Sequence, residues 1–224
     1  MASPGSGYAV GMADERTVLA TLLDRAGTTY AEQAGIRLKD SPAPLYRLLV
    51  LSILLSTRIK ADIAVDAARA LADAGMGTPA RMREAPWQDR VDALGRAGYR
   101  RYDESTATSL GEGAELLRAE YRDDLRGLRD RAGGDPKRVR EALMRFPRLG
   151  PVGADTFCRE AQDVWPSLRP AIDRKALDGA RRVGLPADPD ELTRLAPRRE
   201  LAPLAAALVR VALDEGIADE VTAV

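Results

Sequence analysis

The segment at residues 45–56, LYRLLVLSILLS, constrains the fold most, because it is apolar almost all round. A helix without a polar face has no side to turn to water, so we expect it in the middle of a helical bundle. Amphipathic segments follow it, separated by glycines such as Gly75, Gly98 and Gly133 that suit turns and helix C-caps. No segment shows a convincing strand alternation, so the pattern predicts an all-α fold.

The hydrophobic periodicity predicts a series of helices along the chain. They span residues 14–26, 45–56, 59–74, 80–84, 87–97, 102–121, 125–130, 136–145, 173–183, 190–196 and 200–214. Residues 1–13 are rich in small residues and lack periodicity, so we expect a disordered lead. A length of 224 residues allows one sizeable domain or two small ones.

Residue usage excludes several kinds of site. The chain has no histidine, which excludes histidine acid–base catalysis and histidine metal ligands. Its single cysteine, Cys158, excludes an intrachain disulfide and a four-cysteine iron–sulfur cluster, and its apolar surroundings predict a small core residue. We therefore expect no cofactor and no metal.

Charge and hydropathy narrow the class of partner only slightly. Lys+Arg 34 equal Asp+Glu 34, so the net charge does not favour nucleic acid, but residues 140–182 hold nine basic side chains against six acidic ones. A local basic patch of this kind can still bind phosphates. No apolar run reaches the ~18 residues of a membrane span. The N-terminal residues lack a basic region followed by an apolar core, so we expect no secretory signal there. We expect a cytoplasmic protein, nucleoid-associated if bacterial, with no membrane partner.

Residues 149–153, Leu-Gly-Pro-Val-Gly, predict a tight hairpin between two helices, the second beginning at residues 154–156. Glycine lets the backbone approach a ligand closely, and a helix N-terminus favours an anion such as a DNA phosphate. A phosphate contact of this kind positions the protein without reading sequence. The alternative is an ordinary helical hairpin whose glycines only save space.

The segment resembles the helix-hairpin-helix of the endonuclease III-like DNA glycosylase superfamily. The family's L-P-G-V-G-x-K-T-A stretch lies over residues 149–157, its V-D over residues 172–173, its L-L-S-x-Q over residues 54–58, and its G-x-x-x-x-K-A region is similar to residues 98–103. These landmarks cover roughly residues 42–185. The resemblance implies double-stranded DNA with a damaged or mismatched base as the partner of a monomer. The DNA-binding residues that we take from it and from the local basic residues are Leu149, Gly150, Val152, Gly153, Ala154, Thr156, Arg58, Lys60, Arg148 and Arg174.

The resemblance also implies two helical subdomains with a cleft between them. Residues 42–150 would form an inserted bundle that ends in the hairpin, and residues 14–41 together with 151–224 would form the second subdomain. The flipped base would lie in the cleft, and aromatic faces commonly stack on such a base. Tyr46 and Tyr99 are candidate pocket residues for this reason, although the core is the commoner place for the few aromatics of this chain.

Asp173 is the candidate catalytic residue, because in this superfamily one aspartate stabilises the positive charge that builds on the deoxyribose as the base leaves. Asp173 can equally be the N-cap of the helix that follows it, and both roles can hold together. Arg58 occupies the position where relatives fill the gap left by the flipped base with glutamine. Lys175 can bind phosphate, act as a displaced lyase nucleophile or simply be solvated.

Two departures from the family pattern bear on the chemistry. Asp155 stands where the lyase members carry the lysine that forms a Schiff base, so strand cutting by this route is not expected. It can be a helix cap, face the pocket, or form an acid–base pair with a second carboxylate. Pro151 replaces the first hairpin glycine and removes one N–H donor.

These features predict a monofunctional DNA glycosylase in base-excision repair, a hydrolase that flips a base and cuts its N-glycosidic bond. A non-catalytic binder of damaged or distorted DNA is the main alternative. A bifunctional glycosylase with another lysine as nucleophile, and a helical scaffold protein, are further alternatives.

Overall fold

The computed structural model describes residues 7–196 and 200–223, and every regular element in that range is helical, which confirms the predicted all-α class. The helices are α1 Gly7–Ala26, α2 Tyr30–Gln33, α3 Pro42–Leu55, α4 Ala61–Asp73, α5 Pro79–Glu84, α6 Trp87–Arg96, α7 Asp103–Tyr121, α8 Leu125–Arg131, α9 Pro136–Leu143, α10 Pro151–Ala161, a 3-10 helix Pro166–Leu168, α11 Arg174–Arg182, α12 Pro189–Leu195, α13 Leu201–Leu213 and α14 Glu215–Thr222.

The chain divides into two compact units. The terminal unit comprises the chain up to Thr29 and from Pro170 onwards, and the inserted unit comprises Tyr30–Arg169. The boundaries differ from the predicted ones at 41/42 and 150/151. Helix α10 belongs to the inserted unit, because it packs against α3 and α9 of that unit.

Helix α3 is the centre of the inserted unit, as its apolar surface predicts. Its residues from Leu48 to Leu54 are all buried, and it packs against α4, α8 and α10. The buried Cys158 lies on α10, and burial raises the pKa of its thiol to about 12, so this side chain is an unreactive core residue as expected.

Helix α13 has the same central place in the terminal unit. Its residues Leu204–Val209 are buried without interruption, and it packs against α1, α11 and α14. The contact with α11 is the closest, because a Cβ atom built on Gly179 would overlap the carbonyl oxygen of Leu208 and lie 2.7 Å from its carbonyl carbon. Gly179 therefore sets the distance between these two helices.

The predicted disordered lead is wrong for residues 7–13, which belong to α1, while residues 1–6 lie outside the described residues. A helix that already exists extends at low cost, since each added residue gains one backbone hydrogen bond. Helix α14 was not predicted either. It begins because the Asp214 side chain accepts hydrogen bonds from the N–H groups of Gly216 at 2.9 Å and Ile217 at 3.3 Å.

No helix among the described residues combines the length and the apolar character that a bilayer crossing requires.

We expect Gly179→Ala to lower the free energy of unfolding by about 1–3 kcal/mol, because the added methyl group must push α11 away from α13. Gly95→Ala in α6 is the matched control: nothing lies within 4 Å of its Cβ position, so it should raise the free energy by about 0.5–1 kcal/mol. Urea unfolding of both variants measures the difference. Equal effects of the two substitutions would contradict the close helix contact.

Candidate nucleic-acid interface

The hairpin between α9 and α10 is formed by residues 144–150, and its backbone is unusual at Arg148. This residue has a φ of +62°, the left-handed region that glycine adopts with the least strain. Leu149 then turns inward, and its N–H donates to the carbonyl oxygen of Phe146 at 3.1 Å. Gly150 follows as the N-cap of α10 in an extended conformation.

Helix α10 begins at Pro151, three residues earlier than predicted, because proline suits the first helical position. No side chain in the described part of the protein caps this end. The first helical N–H that finds a backbone acceptor is that of Ala154, which donates to Gly150 at 3.0 Å. Within the described residues the N–H groups of Val152 and Gly153 have no acceptor outside the helix, so they carry the positive end of the helix dipole.

The two hairpin glycines are present for different reasons. A Cβ atom built on Gly153 would overlap Ser56 Oγ and lie 2.6 Å from Leu149 Cδ1 and 3.0 Å from the Ser52 carbonyl oxygen. This glycine is required for packing of α10 on α3. Gly153 therefore agrees with the alternative interpretation, in which the hairpin glycines only save space. Gly150 meets nothing within 4 Å and has a φ of −78°, so neither packing nor backbone conformation requires a glycine there.

Three segments that the resemblance singled out meet at this end of the inserted unit. The C-terminal end of α3 contacts the start of α10 at Gly153 through Ser52 and Ser56. The next residue, Thr57, shares a hydrogen bond of 2.7 Å with the Tyr99 hydroxyl, which joins α3 to the loop before α7. On the other side, Arg148 Nη1 donates to Ser105 Oγ of α7 at 3.1 Å.

Exposed cations lie at or beside these contacting residues in the sequence. We call them the basic end: Arg58, Lys60, Arg100, Arg101 and Arg148. In the described part of the chain, none of them has a carboxylate within 4.0 Å, whereas many other arginines are paired, for example Arg83 with Asp123. A chain of zero net charge thus carries uncompensated positive charge next to the hairpin.

Asp155 is not the helix cap that one interpretation expected, because it is the fifth residue of α10. Its carboxylate forms an ion pair with Arg140 of α9: Nε donates to Oδ1, and Nη2 donates to Oδ2 at 3.2 Å. The hydrogen bond with Asp155 raises the pKa of Arg140. The pair joins the two helices of the hairpin and neutralises the Asp155 carboxylate.

Several predicted DNA-binding side chains point into the protein instead. Leu149, Ala154 and Thr156 are buried, and the Thr156 hydroxyl donates to the Val152 carbonyl oxygen at 2.9 Å. These three side chains lie on the packed face of the hairpin, so only their backbone atoms remain as candidate contacts. Val152 is the opposite case: it is 67% exposed, at the tip of α10.

Tyr46 and Tyr99 are core residues, which was the commoner of the two places expected for them, and they line no base pocket. Tyr46 is 2% exposed on the central helix, and its hydroxyl has no hydrogen-bond partner among the described residues. Tyr99 is 0% exposed and its hydroxyl is bonded to Thr57. Neither ring offers a face to a base.

Asp173 lies in the terminal unit, where it is the N-cap of α11. Its Oδ1 accepts a hydrogen bond of 2.9 Å from the N–H of Ala176, so the capping role is present. The side chain is partly exposed, and the neighbouring Arg174 and Lys175 are exposed at the start of the same helix. A cap fixes the orientation of the carboxylate relative to the helix axis.

Comparison with protein-family models, with curated proteins and with solved structures gives no match to this chain.

Sequence reasoning did not identify Arg140 as the partner of Asp155, nor Arg100 and Arg101 as part of the basic end. Arg140 is fifteen positions from Asp155, and only the packing of α9 against α10 brings them together. For Arg100 and Arg101 a signal was present, because two adjacent arginines between Tyr99 and Tyr102 make a basic run with flanking aromatics.

We expect Tyr46→Phe to raise the free energy of unfolding by about 1 kcal/mol, because it removes a buried hydroxyl that lacks a partner. Burial raises the pKa of Tyr46 above its unfolded value of about 10. Above that pH the unfolded chain ionises Tyr46 while the folded protein keeps it neutral, so the wild type loses stability as the pH rises beyond about 10. The variant should therefore lose less stability than the wild type above about pH 10.

Tyr99→Phe is the matched control, since its hydroxyl is hydrogen-bonded and its removal should lower the free energy by about 0.5–1.5 kcal/mol. Urea unfolding at neutral and alkaline pH measures both variants. A loss of stability in Tyr46→Phe as large as that in Tyr99→Phe would show that the Tyr46 hydroxyl has a partner.

Proposed function

We propose that this chain binds double-stranded DNA through the hairpin and the basic end of its inserted unit, and that it is a monofunctional DNA glycosylase of the endonuclease III-like superfamily. The observation that carries the proposal is the meeting of three segments in the inserted unit: the end of α3, the loop before α7 and the hairpin before α10. They are far apart in sequence, and each resembles a landmark of that superfamily.

The physical argument for DNA rests on donors and charge. The N–H groups of Val152 and Gly153 offer two hydrogen bonds and the positive end of a helix dipole to a phosphate oxygen. Gly150 leaves open space where a Cβ atom would otherwise stand, so a phosphate can approach the backbone. The surrounding arginines and Lys60, which have no carboxylate partner in the described chain, attract further phosphates of the same duplex.

The proposed chemistry is hydrolysis of an N-glycosidic bond with Asp173 as the catalytic residue. Departure of the base leaves positive charge on the deoxyribose, and a carboxylate stabilises that charge and orients the attacking water. Alkylated purines are the first substrate class to test, because a positively charged base is already a good leaving group. Asp155 cannot form a Schiff base, and its pairing with Arg140 leaves it no nucleophilic role, which favours base release without strand cutting.

A second candidate is a non-catalytic binder of damaged or distorted DNA. The observation that favours it is the hydrogen bond from Ala176 to Asp173, because a structural cap is a sufficient reason for an aspartate at this position. The two candidates share the DNA interface and differ only in the role of Asp173.

We expect Asp173→Asn to lower the rate of base release by about 10²-fold or more, while DNA binding and stability persist. Asparagine caps a helix as well as aspartate does, so this change removes the negative charge and keeps the cap. Asp188→Asn is the matched control, because Asp188 caps α12 in the same way through the N–H groups of Asp190 and Glu191. The measurement is release of single lesions from a duplex, with and without alkali to cut the abasic sites.

Four results of this experiment lead to different conclusions. Strand breaks that require alkali and vanish only in Asp173→Asn support the monofunctional glycosylase. Breaks without alkali point to a lyase nucleophile such as the exposed Lys175. Salt-sensitive binding without release from any lesion favours the non-catalytic binder, and absence of binding excludes both.

We expect Gly150→Ala to leave the free energy of unfolding within about 0.5 kcal/mol of the wild type, because its Cβ atom meets nothing within 4 Å. Its affinity for duplex DNA should fall by about tenfold, or 1.4 kcal/mol, since the methyl group keeps a phosphate away from the N-terminus of α10. Fluorescence anisotropy with a labelled duplex measures the affinity. Undiminished affinity would show that the hairpin serves packing alone, as Gly153 does.

A further inference from the structure

Two arginines from distant parts of the inserted unit lie against one tyrosine ring. The guanidinium carbon of Arg101 is 5.3 Å from the centroid of the Tyr102 ring, and that of Arg148 is 5.6 Å from the same centroid. Both distances are within the range of a cation–π contact. We call Arg101, Tyr102 and Arg148 the tyrosine stack.

Hydrogen bonds fix this stack to the start of α7. Arg148 Nη1 donates to Ser105 Oγ at 3.1 Å, and Ser105 Oγ in turn donates to the Tyr102 carbonyl oxygen at 3.1 Å. The hairpin is thereby joined to the N-terminal turn of α7. The Arg148 side chain is held in one place although it is exposed, so less rotamer freedom remains to be lost when it binds a ligand.

The backbone at Arg148 adds a second observation. Its φ of +62° is strained for any residue with a Cβ atom, and glycine would fit there with less strain. The backbone conformation favours glycine at this position, so the presence of arginine suggests that its side chain has a function. Asp103 and Glu104 lie in the first turn of α7, but neither is within 4.0 Å of the cationic nitrogens of Arg101 or Arg148. The two guanidinium groups thus remain without a carboxylate among the described residues.

We propose that the tyrosine stack is a second DNA-backbone site beside the hairpin, in which Arg101 and Arg148 each bind a phosphate group of one strand. The inference rests on the proposed binding of DNA. The ring shields one side of each guanidinium from water and leaves its N–H edge for a phosphate, which arginine binds in bidentate fashion. Phosphate contacts of this kind fix the register of the duplex against the N-terminus of α10 and read no bases.

The test is the salt dependence of binding to an undamaged duplex. The double variant Arg101→Gln/Arg148→Gln should lower the slope of log K against log salt by about 2, since each lost phosphate contact removes about 0.9. The matched control is Arg81→Gln/Arg118→Gln, which changes the net charge equally at two exposed arginines of α5 and α7 outside the stack. The control should leave the slope unchanged.

Single variants separate a binding role from a structural one. Arg148→Gly relieves the strained backbone, so its melting temperature should equal or exceed that of the wild type while its affinity for DNA falls several-fold. Tyr102→Phe keeps the ring and should retain binding, whereas Tyr102→Leu should weaken it. Wild-type affinity in Arg148→Gly, or an equal loss of slope in the control pair, would overturn the site. A wild-type protein without salt-dependent binding would instead overturn the proposed function on which the site rests.

Discussion

The close approach of α10 to α3 at Gly153 is the contact on which the geometry of the candidate interface depends. Because no side chain separates the two helices there, the N-terminus of α10 is held at the end of the most buried helix of the inserted unit. That end of α3 also carries Thr57, whose hydrogen bond to Tyr99 positions the loop with the exposed arginines. A packing contact between small residues thus places a helix dipole and a set of cations on one surface.

The charges of this protein are distributed unevenly over its surface, which the overall composition does not reveal. Equal numbers of acidic and basic residues suggest a surface without preference for polyanions. The structure shows that many carboxylates form ion pairs with nearby arginines, such as Asp123 with Arg83 and Glu120 with Arg145. The cations of the basic end have no such partner in the described chain, so the potential that a duplex would meet depends on pairing and not on net charge.

The sequence was a good guide to the elements and a poor guide to the surroundings of single side chains. Hydrophobic periodicity located most helices, because burial of an apolar face decides their formation. It did not distinguish the two hairpin glycines, since a packing glycine and an open one look alike until the neighbouring helix is known. It left both the core and a pocket open for Tyr46 and Tyr99, and it did not show that Asp155 meets Arg140, because these facts depend on residues distant in the chain.

The hairpin differs at two positions from the pattern of the superfamily that it resembles, and both differences are compatible with an anion site. Pro151 removes an N–H group at the first helical position, but the donors of Val152 and Gly153 at the following two positions remain. Asp155 adds a negative charge one turn further on, where Arg140 neutralises it through two hydrogen bonds. A phosphate at Gly150 would therefore meet two donors, a favourable dipole and a paired acid. Under the proposed function, the hairpin lacks the lysine that lyase chemistry requires and keeps two N–H donors for an anion.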